Sequence, residues 1–141
     1  MSALRELLAS YRNTSKTERE KGTYFELLIK DFLKNDPTYY PQFSEVWTYK
    51  DWAESQGIDG TDTGIDLVAG LSEEEGFCAI QCKFYDEHHR IQKSDLDSFF
   101  TASGKKGFTR RLIVDSTSGS WSEHAEAALS NQTIETQRIG L

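Results

Sequence analysis

The sequence predicts an α/β fold, a mixed central β-sheet flanked by helices on both faces. Two observations carry that prediction. Three strand-like apolar runs follow one another in the middle of the chain, and helical and strand-like runs alternate after them. Consecutive strands pair antiparallel, whereas βα alternation adds parallel neighbours and covers the sheet with helices. The second observation is composition: 141 residues with 37% hydrophobic, 12% aromatic and 28% charged side chains make an ordinary globular domain with one core. No linker, internal repeat or low-complexity segment divides the chain, so residues 1–141 are read as a single domain.

Residues 2–12 place Leu4, Leu7, Leu8 and Tyr11 at helical spacing and predict a short amphipathic helix. Thr17-Glu-Arg-Glu20 is a capping box, with Thr17 capping and Glu20 reaching back. The helix it opens runs to Lys34, where Asn35-Asp36-Pro37 stops it. Phe25, Leu28, Ile29, Phe32 and Leu33 form its inward stripe, and Glu26 lies at the stripe's edge. Residues 43–49 alternate and read as the first strand, with Trp52 and Ala53 continuing into a Gly-rich loop that aims Asp66. The acids of that loop do not make a calcium-binding EF-hand. Its twelfth position needs a Glu, and counting from Asp59 gives Gly70. Asp59 remains an accessory acid.

Residues 64–70 and 77–83 read as neighbouring strands joined by the acidic turn Ser72-Glu-Glu-Glu-Gly76. Ser94-Asp-Leu-Asp97 opens a helix with Leu96, Phe99 and Phe100 inward and Gly104 at its end. Residues 109–115 form a buried strand with a basic start. Ser120-Trp-Ser-Glu123 is a third capping box, opening a helix through Leu129, and residues 134–139 form the last strand.

The strand pair at 64–83 holds the chemistry. Alternate side chains share a face, so Cys78, Ile80 and Cys82 lie on one side and Phe77, Ala79, Gln81 and Lys83 on the other. On the first strand Ile65 and Leu67 share a face opposite Asp66 and Val68. With the apolar faces in the core, Asp66, Gln81 and Lys83 emerge together. Burying such groups unpaired costs on the order of several kcal/mol, so their presence needs a reason. A carboxylate, an amide oxygen and the Cys82 backbone carbonyl are oxygen ligands that suit Mg²⁺. A lysine beside them can position a water and stabilise charge developing on a phosphate.

Gly64-Ile-Asp-Leu67 followed by Gln81-Cys-Lys83 resembles the PD-(D/E)xK nuclease signature in its Mrr-like form, in which the second acidic position is often Gln. Thr63-Gly-Ile-Asp-Leu-Val-Ala69, Cys78-Ala-Ile-Gln-Cys-Lys-Phe-Tyr85, Ser98-Phe-Phe100 and Arg138-Ile-Gly-Leu141 resemble one group more narrowly. These are the N-terminal nuclease domains of single-polypeptide restriction–modification enzymes of the translocating Type ISP class. The resemblance covers most of the chain from residue 20 onward. No Pro precedes Asp66, which is ordinary for Mrr-like members. Gln81 stands in place of an acid and leaves one metal-binding charge missing.

The resemblance implies a restriction-endonuclease-like core and a Mg²⁺-dependent DNA endonuclease, with Mn²⁺ able to substitute. Asp66 and the Cys82 carbonyl would bind the metal, Gln81 would lend its amide oxygen directly or through water, and Lys83 would orient the attacking water. In Mrr-like nucleases a Glu on the first core helix points into the metal site, which assigns Glu26, after Gly22-Thr-Tyr-Phe25, a contact to metal through water. The resemblance also implies that this chain is the front piece of a longer protein, followed by helicase, methyltransferase and target-recognition domains. The alternative is a catalytically silent nuclease fold that binds DNA or docks protein, and the residues leave DNA against RNA open.

A net charge of −7 argues against a simple phosphate-binding module. The charge is uneven: residues 1–76 carry 8 Lys/Arg against 15 Asp/Glu, and residues 77–141 carry 8 of each. Two basic clusters in the second half are candidate contacts to a phosphate backbone. One is His88-His89-Arg90 with Lys93, the other Lys105-Lys106 with Arg110-Arg111. Cys78 and Cys82 lie about 13 Å apart along one strand and cannot bridge, which fits buried thiols in a reducing cytoplasm. No apolar run reaches membrane length, and the N-terminus is no signal peptide. Gly-x-Ser-x-Gly, Walker A and Gly-x-Gly-x-x-Gly motifs are missing, and His88-His89 lack a third ligand at fixed spacing.

Overall fold

Helix α1 (Glu18–Asn35) begins where the capping sequence places it. Thr17 Oγ1 accepts from the Glu20 N–H at 3.2 Å, and the Thr17 hydroxyl donates to the Glu20 carboxylate at 3.1 Å. This is a computed structural model, and it describes residues 6, 8–10, 13, 17–60, 64–85, 89–104, 107–117, 121–130, 132 and 134–140. Most of the helix expected at 2–12 lies outside those residues, although Leu8 is buried in the same core as α1.

The remaining elements are β1 (Phe43–Thr48), α2 (Tyr49–Ser55), β2 (Leu67–Leu71), β3 (Phe77–Lys83), α3 (Asp97–Ser103), β4 (Phe108–Asp115), α4 (Glu123–Ser130) and β5 (Glu135–Gly140). The strands form one sheet in the order β1-β2-β3-β4-β5. β1, β2 and β3 pair antiparallel, while β3–β4 and β4–β5 pair parallel. The mixed α/β architecture expected from the order of elements is therefore the one observed.

Both faces of the sheet are covered, which is why its central strands are apolar nearly throughout. Phe25, Ile29 and Leu33 of α1 pack on Val46, Leu67, Ile80 and Val114. On the opposite face Trp52 of α2, Phe99 of α3 and Trp121 pack on Val68, Ala79 and Ile113. The alternation along β3 falls as expected, with Cys78, Ile80 and Cys82 under α1 and Ala79 on the other side.

Four expectations need correction. Tyr49 does not end β1, and Trp52 and Ala53 do not lie in a loop: Thr48 Oγ1 accepts from the Asp51 N–H at 3.2 Å and opens α2, which buries Tyr49, Trp52 and Ala53 along one face. Ile65 and Leu67 do not share a face, since Ile65 belongs to the α2–α3 core and Leu67 to the α1 core. Ser94 does not cap α3. The chain instead makes a 3₁₀ turn at Lys93–Asp95, fixed by the Gln92 N–H donating to Asp95 at 2.7 Å, and α3 follows. Finally, Ser122 caps α4 by accepting from the Ala125 N–H at 3.2 Å, whereas Ser120 lies outside the described residues.

Candidate active site

β2 and β3 part at Asp66. Leu67 pairs with Ile80, yet the Asp66 N–H also donates to the Ile80 carbonyl at 3.0 Å. Two residues of one strand thus stand opposite one of the other, the arrangement of a β-bulge. The extra residue breaks the alternation, which explains why Ile65 and Leu67 enter different cores. The Asp66 carbonyl is anchored in turn by the Tyr49 N–H at 3.0 Å.

Beyond the bulge the Asp66 side chain replaces the departed strand. Its Oδ2 accepts from the Cys82 N–H at 2.8 Å and from Gln81 Nε2 at 2.7 Å. Gln81 is buried, and this bond turns its amide oxygen away from Asp66. Asp66, Gln81, Cys82 and Lys83 border an open cleft of ≈ 630 Å³, together with Gly64, Ser94, Asp95 and Ser98. Among the described residues Lys83 has no ion pair or side-chain hydrogen bond.

The facing wall comes from the start of α3. Asp95 accepts from Tyr85 Oη at 3.2 Å as well as from the Gln92 N–H, and His89 Nε2 lies 3.5 Å away. Burial first, then the Asp95 charge, pushes the Tyr85 phenol above its ordinary value, so it stays a donor. Gly64 lets the two walls approach: its φ is +99°, and a Cβ there would lie 2.9 Å from the Ser98 carbonyl oxygen.

Glu26 stands on the other side of Asp66. It lines a second, smaller cleft of ≈ 220 Å³ with Thr48, Tyr49, Lys50, Gly60, Ile65 and Asp66. Asp66 therefore borders both clefts, and Glu26 and Lys83 flank it from opposite sides. The buried Cys82 thiol registers all three charges. Burial raises its pKa most, Asp66 and Glu26 raise it further, and Lys83 lowers it. Asp66, Gln81 and Lys83 thus meet in one cleft, and Glu26 reaches Asp66 in the neighbouring one.

The basic candidates divide. Arg90 is exposed on the segment that leads to Asp95, and Lys93 on the same segment pairs with Asp97 at 2.9 Å. Arg110 lies opposite Cys78, at the far end of β4, and pairs with Glu74 at 2.8 Å and Glu135 at 3.8 Å. Arg111 is buried and cannot face a phosphate backbone. It donates to Ser103 at 2.7 Å, Gln132 at 2.6 Å and the Phe100 carbonyl at 3.2 Å, and burial lowers its pKa. Lys105, Lys106 and His88 lie outside the described residues, and Asp59 lines neither cleft.

Asp95, Ser94, Ser98 and Lys50 border the site without having been named as site residues from the sequence. Long-range packing of α3 brings in the first three, and no local pattern announces that. Thr48-Tyr-Lys-Asp51 carries a capping spacing that would have found α2 and with it Lys50.

A family model described as a restriction endonuclease, Mrr_cat_2, matches residues 34–141. Among solved structures the chain is similar to the ATP-dependent Type ISP restriction-modification enzyme LlaBIII bound to DNA, at 31% identity and a TM-score of 0.72. That similarity covers 95% of this chain and 8% of the LlaBIII chain. The fold is also that of the MspJI restriction endonuclease in complex with a 27-mer oligonucleotide, at 16% identity and a TM-score of 0.61, over 97% of this chain and 28% of MspJI. Comparison with curated proteins found no match. Among the described residues no helix is long and apolar enough to cross a membrane. The Mrr-like, Type ISP-like character read from Gly64 to Lys83 is borne out, and the chain belongs to the Mrr_cat_2 family of restriction endonucleases.

Proposed function

We propose that this chain is a Mg²⁺-dependent DNA endonuclease domain that hydrolyses phosphodiester bonds. The observation that carries the reading is the meeting of Asp66, Gln81, Cys82 and Lys83 on one polar cleft. Restriction endonucleases generally use a divalent metal. The donor set here fits a small hard ion: the Asp66 carboxylate and the Cys82 carbonyl, with Glu26 from the second cleft acting through water and the Gln81 amide oxygen joining once its amide turns over from the bond to Asp66. Among the described residues no three His, Cys, Asp or Glu side chains form a metal cage. Mg²⁺ keeps several waters and takes one or two carboxylates, and Mn²⁺ fits the same donors. When bound, the ion would supply Lewis-acid charge to the scissile phosphate.

The chain's own groups do the rest. The Cys82 N–H and the Gln81 amide fix the Asp66 carboxylate so that it need not reorganise when a phosphate arrives. Lys83, with no partner of its own among the described residues, orients the attacking water and offsets charge on the phosphate. Arg90 flanks the same wall and would hold the backbone, whereas Lys93 is paired with Asp97 and Arg110 is turned to Glu74. The similarity to LlaBIII supports a larger setting, in which helicase, methyltransferase and target-recognition domains of one chain bring DNA to an acidic nuclease that binds it weakly alone.

The test is cleavage of duplex DNA across a Mg²⁺ titration, with thermal melts as the folding control. Asp66→Ala and Lys83→Ala should each lose activity by at least about a hundredfold, the scale of removing one electrostatic group at a reacting phosphate, and should melt near the wild type. A second reading has an observation of its own. Gln81 in place of an acid leaves the site short of a carboxylate, which suits a silent DNA-binding or docking module. Unchanged cleavage by a well-folded Asp66→Ala protein, or DNA binding without cleavage by the wild type, would favour that module.

A further inference from the structure

We propose that Lys50 binds the DNA phosphate next to the scissile one, on the Glu26 side of Asp66. The proposal deepens the nuclease reading and rests on it. Several described cations are already committed. Lys34 pairs with Glu45, Lys93 with Asp97, Arg110 with Glu74 and Arg138 with Asp115, while Arg111 is buried. Lys50 is exposed and, among the described residues, has neither an ion pair nor a side-chain hydrogen bond. Arg19, Lys30 and Arg90 share that property but line neither cleft.

Lys50 lines the second cleft together with Glu26 and Asp66. Its stem is seated: a Cβ on Gly60 would lie 3.5 Å from both its Cα and its Cγ, so the backbone at Gly60 forms a floor under the side chain. A strand whose scissile phosphate sits at Asp66 must carry a neighbouring phosphate to either side. On the Lys83 side the ammonium already stands beside the scissile phosphate itself. On the other side Lys50 is the cation that lines the cleft shared by Glu26 and Asp66, where it can meet that phosphate. The strand then crosses Asp66 from one cleft to the other, with Lys83 at the scissile phosphate and Lys50 at its neighbour. Lys50 is thus a binding residue that positions the scissile bond and takes no part in the chemistry.

The experiment measures binding of a fluorescent DNA duplex by anisotropy over a salt series, with Ca²⁺ replacing Mg²⁺ so that the duplex stays uncut. Lys50→Ala should weaken binding roughly fivefold and reduce the slope of log affinity against log salt by about 0.9, the signature of one lost phosphate contact. Lys50→Arg should restore both, and Lys30→Ala, outside the clefts, should change neither. In Mg²⁺, Lys50→Ala should raise KM and leave kcat largely in place. Wild-type affinity and slope in a well-folded Lys50→Ala protein, where the wild type binds and cuts, would overturn the Lys50 assignment and leave the nuclease reading standing. A wild type without affinity for DNA down to low salt would overturn both.

Discussion

Asp115 and Asp66 stand at the same edge of the sheet, and their surroundings differ in kind. Asp115 ends β4 opposite Lys83 and is wholly buried. Arg138 grips it with Nε at 2.7 Å and Nη2 at 3.0 Å, Thr117 adds its hydroxyl and its N–H, and the guanidinium lies 4.9 Å from the Trp121 ring centroid. This is a planar fork matched to a carboxylate, with the charge neutralised inside the fold. Asp66 receives two neutral amide donors at Oδ2 and borders two clefts that open to solvent. A buried carboxylate with its own arginine holds the structure together. One that borders two clefts can be reached by a cation from outside.

The largest effect that can break this contrast is a crossed pair of substitutions. Arg138→Ala strands a fully buried Asp115 and should cost about 3–5 kcal/mol of stability, with cleavage falling only as the protein unfolds. Asp66→Asn keeps an acceptor for the Cys82 N–H and should cost within about 1 kcal/mol, while cleavage disappears. Urea melts and cleavage assays on both variants decide the matter. Equal destabilisation by the two would mean that Asp66 is as structural as Asp115.

The two thiols of β3 sharpen the comparison next, because one of them sits beside Asp66. Burial raises Cys78 to about 12, with Arg110 lowering it and Glu135 raising it by lesser amounts. A folded pKa above the unfolded one means that the contribution is complete below the unfolded value and is lost as pH climbs through the folded one. Stability should therefore fall between pH 9 and about 12, by about 1.4 kcal/mol per pH unit for each thiol still protonated in the fold. Cys78→Ala should flatten that fall in alkaline urea melts. Cys82 reports on the site: Asp66→Asn removes a charge that disfavours its thiolate and should let Cys82 react with thiol reagents at lower pH. Arg138→Ala should leave that reactivity in place in the fraction that stays folded. Identical Cys82 titration in wild type and Asp66→Asn would show that the Asp66 charge does not reach the sulfur.

Much of the core and the heart of the site were legible because they are local. The alternation from Phe77 to Lys83 assigns each residue to a face, and Asp66 and Gln81 become neighbours once the two runs pair across a short turn. What stayed hidden arises from departures or from distance. The bulge at Asp66 inserts one residue, and a period-two reading cannot see an extra residue without a partner strand, so Ile65 was assigned to the wrong core. α2 was hidden because the alternation of 43–49 runs directly into its capping sequence. Arg110 and Arg111 look alike in sequence, yet Arg111 finds Ser103 and Gln132, partners 8 and 21 residues away, and Arg110 finds Glu74 across the sheet. Charge patterning alone cannot tell a cation that faces DNA from one the fold has already used.

The smallest predicted effect probes the carboxylate that this site lacks. Gln81 donates to Asp66 Oδ2 at 2.7 Å, so Gln81→Glu would set two carboxylates against each other at that contact. Without metal, one of the pair must hold a proton or move away, which raises its folded pKa. A raised carboxylate contributes stability below its unfolded value near pH 4 and loses it as pH rises through the folded value. The variant should therefore melt below wild type at neutral pH without divalent metal, by about 1–2 kcal/mol, and close that gap on acidification. Mg²⁺ reverses the sign. A second carboxylate beside Asp66 should tighten metal binding by about 1–3 kcal/mol, so added Mg²⁺ should raise the melting temperature of Gln81→Glu more than that of wild type. Cleavage should persist, because the substitution keeps an oxygen donor at position 81. An Asp115→Glu protein should show no such response to Mg²⁺, since Arg138 already fills that carboxylate's need for a cation. If Mg²⁺ shifts wild type and Gln81→Glu equally, position 81 is no part of the metal site, and Asp66 would have to hold its ion from the Glu26 side.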